Sequence, residues 1–174
     1  ILELLTQYLT DTPQESEITT RFINFVEANS DCFERSLQIG HVTGSAWVVN
    51  EAGTHVLLTH HKKLNKWFQL GGHADGESDI LKAALTEVDE ESGLAEFSPI
   101  STAIFDIDIH AIPARKDEPE HYHYDVRFAV RSTGADDYVV SEESHDLSWV
   151  DISRLDEYTQ EESMLRMGRK WLSI

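Results

Sequence analysis

The stretch Gly71-Gly72-His73-Ala74-Asp75-Gly76-Glu77-Ser78-Asp79-Ile80, running on to Glu87-Val88-Asp89-Glu90-Glu91-Ser92-Gly93-Leu94, constrains this chain more than any other. A double glycine opens it and a short acidic helix follows. Glu87, Glu90 and Glu91 stand at i, i+3 and i+4, positions that share one face of a helix. Carboxylates gathered in this way repel one another. Binding a hard divalent cation, Mg²⁺ or Mn²⁺, is the usual reason to collect them; a merely solvated acidic face is the plainer alternative.

With 174 residues, 40% of them hydrophobic, the chain suits one compact domain with room for a small appendage. Its net charge of −18 argues against binding duplex nucleic acid. An anionic substrate would need local positive charge, which bound metal ions supply. No apolar run reaches the length that spans a bilayer, and no secretory signal is visible. The sequence begins at Ile1 rather than Met, so a true N-terminus upstream is expected. A single cysteine, Cys32, rules out an internal disulfide and reads as buried or incidental. Cytoplasmic residence is the simplest expectation.

Residues 1–29 read as two helices broken at Thr12-Pro13. They are expected to serve as a helical cap, a cover for the core or the arm of a homodimer. From Gly40 the pattern turns to strands: His41–Val49, then Thr54–His60 across an Asn50–Gly53 turn, then Trp67–Leu70 leading into the double glycine. After Gly93, Ala103–His110 alternates, His121–Arg131 is the clearest strand, Leu147–Val150 is a short one, and Thr159–Leu172 reads as a helix. This order predicts an α/β/α sandwich around a mixed sheet, with residues 1–37 as an N-terminal helical extension and 38–174 as the main domain.

The segment Gly71–Leu94 resembles the Nudix box, G-x5-E-x7-R-E-U-x-E-E-x-G-U with U bulky and apolar. Glu87, Val88, Glu90, Glu91, Gly93 and Leu94 fall on its positions, and the first Gly falls on Gly72. The flanking Gly40–Trp47, Lys66–His73 and Glu142–Trp149 look like the same bacterial, MutT-like subgroup, so the likeness spans about residues 40–172. Two positions depart from the box. Ser78 sits where its first Glu belongs, with Glu77 one residue early, and Thr86 replaces the Arg that normally pairs with the box carboxylates. The resemblance implies a divalent-metal-dependent hydrolase that cuts the diphosphate linkage of a nucleoside diphosphate derivative: ADP-ribose, a nucleotide sugar, a dinucleotide or a nucleoside triphosphate. A catalytically weakened Nudix-fold nucleotide-binding or regulatory domain is the alternative.

By that match Glu87, Glu91 and the Gly71 carbonyl are metal ligands, and Glu90 is a further ligand or a base that orients water. Such carboxylates let bound Mg²⁺ lower the pKa of a water and neutralise charge on the departing oxygen. Strand alternation puts His121, His123, Asp125 and Arg127 on one face, read as a substrate cleft beside the acidic helix. There Arg127 would contact phosphate or partner the box carboxylates, or simply pair with Asp125; the histidines would bind phosphate, base or an additional metal. His73 joins them as a substrate-binding candidate, and Arg115 or Lys116 would meet the distal phosphate. Glu142 or Glu143 is the candidate general base. The basic island His60, His61, Lys62, Lys63 and Lys66 either steers the anionic substrate or is a plain surface loop.

Overall fold

A computed structural model describes residues 1–62, 65–115, 119–140 and 144–174. Eight strands form one mixed sheet: β1 (Gly40–Val49), β2 (His55–His61), β3 (Lys66–Phe68), β4 (Leu70–His73), β5 (Phe97–Pro99), β6 (Asp106–Ile112), β7 (His121–Ser132) and β8 (Ser144–Asp151). Four helices accompany them: α1 (Leu2–Asp11), α2 (Ser16–Ala28), α3 (Ile80–Ser92) and α4 (Glu162–Leu172). β5, three residues long and paired with the far end of β7, is a strand that the sequence pattern did not announce, and the stretch expected at Trp67–Leu70 divides into β3 and a β4 that runs on through the double glycine.

β1 is the axis of the sheet. On one edge it runs parallel to β7 from Gly40↔Tyr122 to Val49↔Arg131. On the other edge it pairs antiparallel with β4 over Thr43↔His73 to Ala46↔Leu70, and touches β2 at Val49↔Val56. β6 lies antiparallel on the outer side of β7. Strand alternation then divides β1: Val42, Gly44 and Ala46 point to one face, His41, Thr43, Ser45 and Trp47 to the other.

The first face is covered by α1, α2 and α3. Leu5, Phe22, Phe25, Ile80 and Ala84 share a core cluster with Val42, Tyr124, Val126 and Phe128. Leu5 and Phe22 are fully buried, so each contributes roughly 1.5–3 kcal/mol of hydrophobic stabilisation. Of the three roles expected for the N-terminal helices, covering the core is the one the packing displays. α3 rests directly on β1: a Cβ at Gly44 would lie 3.0 Å from the Ile80 carbonyl oxygen and 3.1 Å from the Ala84 nitrogen. The second face is covered by α4, whose Met164 and Met167 pack on Trp47, Leu58 and Val150. The result is the expected α/β/α sandwich. Among the described residues no helix is long and apolar enough to cross a membrane.

Candidate active site

α3 begins where the Asp79 carboxylate accepts a hydrogen bond from the Lys82 backbone N–H at 3.2 Å, a side-chain N-cap. Its buried stripe, Ile80, Ala83, Ala84 and Val88, faces the sheet, which leaves Glu87 and Glu91 on the flank toward β4. There Glu91 Oε2 accepts a hydrogen bond from the Gly71 N–H at 2.9 Å, a charge-assisted contact of the stronger kind. The Glu87 carboxylate lies against Gly72 so closely that any Cβ there would overlap it, which accounts for glycine at that position. Gly71, Glu87 and Glu91 are therefore brought together, while Glu90 stands exposed on the same helix.

Thr86 takes no part in this arrangement; its hydroxyl donates to the Lys82 carbonyl at 3.0 Å, inside its own helix. The Gly71 N–H is one partner of Glu91. Glu77, the displaced acidic residue of the box, lies in the turn before α3. It accepts from the Asp79 N–H at 2.9 Å and from Lys82 Nζ at 2.5 Å.

The structure corrects the expectation for Asp125 and Arg127. Both share a strand face with His121 and His123, as alternation requires, but that face is turned away from α3, because Gly44 and Val126 occupy the α3-facing positions. Nor is it exposed: Asp125 and Arg127 each retain 2% of their surface. Asp125 Oδ1 accepts from Thr43 Oγ1 at 2.9 Å and Ser45 Oγ at 2.7 Å; Oδ2 accepts from Arg127 Nε at 2.7 Å and Gln69 Nε2 at 3.2 Å. Arg127 also donates to Asp106 Oδ2 at 3.0 Å, with Asp108 at 3.6 Å. Its partners are thus aspartates of the sheet, not the box carboxylates, and it is enclosed rather than open to a phosphate. Burial opposes its charge, but Asp125, Asp106 and Asp108 together outweigh that and raise its pKa. α4 closes the network from above: Arg166 donates to Asp106 at 2.7 Å and to the Ile107 carbonyl at 2.8 Å, and Lys170 reaches Asp106 at 2.5 Å and Glu15 at 2.7 Å.

The expected histidines do converge, and two more join them. His73, His121 and His123 surround His41, with ring centroids 4.9, 5.0 and 4.9 Å from it, and His110 stands 5.4 Å from His123. The parallel register His41↔His123 and the antiparallel register His110↔His123 create the group; neither pairing is visible in one strand's pattern. Burial first, and the neighbouring imidazoles after it, push His123 down to about 2. Burial, then Arg35 and His41, push His73 down to about 4.

The remaining candidates are scattered. Arg115 is exposed after β6, and Lys116, Glu142 and Glu143 lie outside the described residues. In the basic island Lys66 pairs with Glu161, and His60 stacks on Trp67 at 4.9 Å; Lys63 lies outside the described residues. Cys32 is buried, and burial pushes its thiol up. A cavity of about 270 Å³ lies elsewhere, lined by Gln7, Tyr8, Phe105 and Lys170 among others, and no residue of α3 borders it.

Fold and site together set a carboxylate-bearing helix against a double glycine on a mixed sheet. A family model described as the NUDIX domain matches residues 41–170, and the chain belongs to that family. The match leaves α1 and α2 outside it. Among solved structures, a NUDIX-family hydrolase from Clostridium perfringens is 25% identical, over 76% of this chain and 97% of that one, with a TM-score of 0.57. An Ap4A hydrolase from C. elegans in a binary complex has a TM-score of 0.61 at 17% identity, covering 76% of this chain and 95% of that one. The dihydroneopterin triphosphate pyrophosphohydrolase of E. coli has a TM-score of 0.59 at 12% identity, covering 76% of this chain and 96% of that one. No curated protein matches the chain in sequence.

Proposed function

We propose that the chain hydrolyses the diphosphate linkage of a nucleoside diphosphate derivative, with Mg²⁺ or Mn²⁺ held by Glu87, Glu91 and the Gly71 carbonyl. The observation that carries this reading is the seating of two box glutamates on the double glycine: Glu91 on the Gly71 N–H at 2.9 Å, Glu87 on Gly72. A donor set of carboxylates with a neighbouring backbone carbonyl suits a hard cation. When bound, such a cation neutralises charge on the phosphoryl oxygens and acidifies a water.

The residues supply position. α3 keeps the two carboxylates at fixed separation, and the buried stripe beneath them keeps the helix from shifting. Glu90 is exposed on the same helix, and in this reading it orients water or extends the ligand set. In hydrolysis the water oxygen bonds to phosphorus as the bridging P–O bond breaks, and a nearby carboxylate accepts the water's proton. Arg115, exposed in the loop after β6, is the described cation best placed in sequence to meet a distal phosphate.

The test is product release from a panel of ADP-ribose, nucleotide sugars, dinucleotides and nucleoside triphosphates with Mg²⁺ or Mn²⁺, comparing wild type with Glu91→Gln. Metal-dependent turnover that falls at least about 100-fold in the variant supports the hydrolase, on the scale seen when one electrostatic stabiliser is removed. Nucleotide binding by calorimetry without turnover on any member would favour a regulatory domain, a reading motivated by Thr86 spending its hydroxyl on Lys82.

A further inference from the structure

Nine histidines occur in the chain, and five of them, His41, His73, His110, His121 and His123, gather at one end of the sheet from β1, β4, β6 and β7. They lie on the face opposite α3, because His41 alternates with Val42 and Gly44 along β1. The helix carboxylates and the histidines are therefore back to back: Gly72 of β4 meets Glu87 on one face, and His73, the next residue, turns to the other.

We propose that His41, His121 and His123 form a second metal centre, distinct from the helix carboxylates, that takes a nitrogen-preferring divalent transition ion of the zinc class, with His73 at its margin.

Three observations carry this. The first is geometry. One ring nitrogen from each of His41, His121 and His123 lies within 4.8 Å of the others. Zinc–nitrogen bonds of about 2.0–2.1 Å in a tetrahedral site place ligand nitrogens about 3.4 Å apart, a closure that ring rotation can provide. The second is the orphaned nitrogens. His41 is 4% exposed, yet neither of its ring nitrogens has a hydrogen-bond partner, and His123 Nε2 is buried and unpartnered as well. Buried polar atoms are almost always satisfied, and an ion at the centre of the group would satisfy these. The third is the surrounding support. Nδ1 of His121 lies 2.9 Å from the Pro119 carbonyl oxygen, which fixes its tautomer and leaves Nε2 for a metal.

Imidazole selects zinc, copper, nickel or cobalt over magnesium, whereas the α3 carboxylates prefer the hard ions.

The test uses Co²⁺ and Zn²⁺ with the full chain and does not depend on activity. Cobalt added to wild type, and to a Glu87→Gln/Glu91→Gln variant, is expected to give one equivalent of intense visible absorption typical of low-coordinate nitrogen ligation, displaced by Zn²⁺. His121→Ala removes a partly exposed ligand and is expected to weaken Zn²⁺ binding at least 10-fold by equilibrium dialysis. The His41→Gln variant serves as a second removal, with circular dichroism checking its fold. A cobalt spectrum that is weak and octahedral in wild type, or binding lost in the glutamate variant and retained in both histidine variants, overturns the proposal.

Discussion

β7 carries two polar pairs on one face, and they have opposite fates. Asp125 and Arg127 are met by the fold: Asp125 accepts from Thr43, Ser45, Gln69 and Arg127, and Arg127 donates to Asp125 and Asp106. His121 and His123, four and two residues before Asp125 on the same face, lie against His41 with ring nitrogens of His41 and His123 left unmet. A satisfied buried network is explained by the fold it holds together. An unsatisfied one at similar depth is stabilised by something outside the chain or is a cost the fold bears. The contrast separates architecture from function along one strand.

The sharpest way to break the comparison is to unpair its satisfied half. Arg127→Met leaves Asp106 and Asp125 buried without their shared cation, and the expected loss is about 3–5 kcal/mol in urea unfolding. A loss under about 1 kcal/mol would mean the network is not the structural element described here. On the unsatisfied half the sign changes with ligand. Zn²⁺ at 100 times its dissociation constant is expected to stabilise wild type by about 2.7 kcal/mol, with no gain in His121→Ala, read as a shift in thermal midpoint. Without metal, His41→Phe swaps an orphaned imidazole for an apolar ring and is expected to be neutral or stabilising by about 1 kcal/mol. Destabilisation beyond about 2 kcal/mol would show that His41 has a partner in solution.

The last effect shows only in acid. Asp108 is held at about 2; burial opposes this, but the His110 hydrogen bond and then Arg127 outweigh it. Its folded pKa lies below the ordinary aspartate value of 3.8, so between those values the unfolded chain binds more protons. Asp108 thus contributes stability that is complete above about pH 4 and fades as pH falls toward 2. Asp108→Asn should flatten that limb of a stability–pH curve without changing its shape near neutrality.

The helix, the main strands and the alternation on β7 were legible because each is a local pattern. Glu87, Glu90 and Glu91 share a helix face by spacing alone, and His121 through Arg127 share a strand face by parity. Exposure of that face was not legible. Whether Arg127 meets water is decided by α4, which brings Arg166 and Lys170 onto Asp106 from about sixty residues away in sequence. The histidine group was half legible for the same reason. His121 and His123 announce themselves, but His41 joins them only through the parallel register of β1 with β7, and His73 only because β4 pairs with β1. The missing box Arg was legible as an absence, while the hydrogen bond from the Gly71 N–H to Glu91 depends on where β4 lies relative to α3.

The central claim is that the α3 carboxylates and the double glycine hold the divalent cation of a pyrophosphohydrolase. Anomalous diffraction at the manganese edge from crystals soaked in Mn²⁺ tests it most directly. A peak bounded by Glu87, Glu91 and the Gly71 carbonyl is the predicted result. Manganese bound among the histidines alone, with nothing at α3, would contradict it.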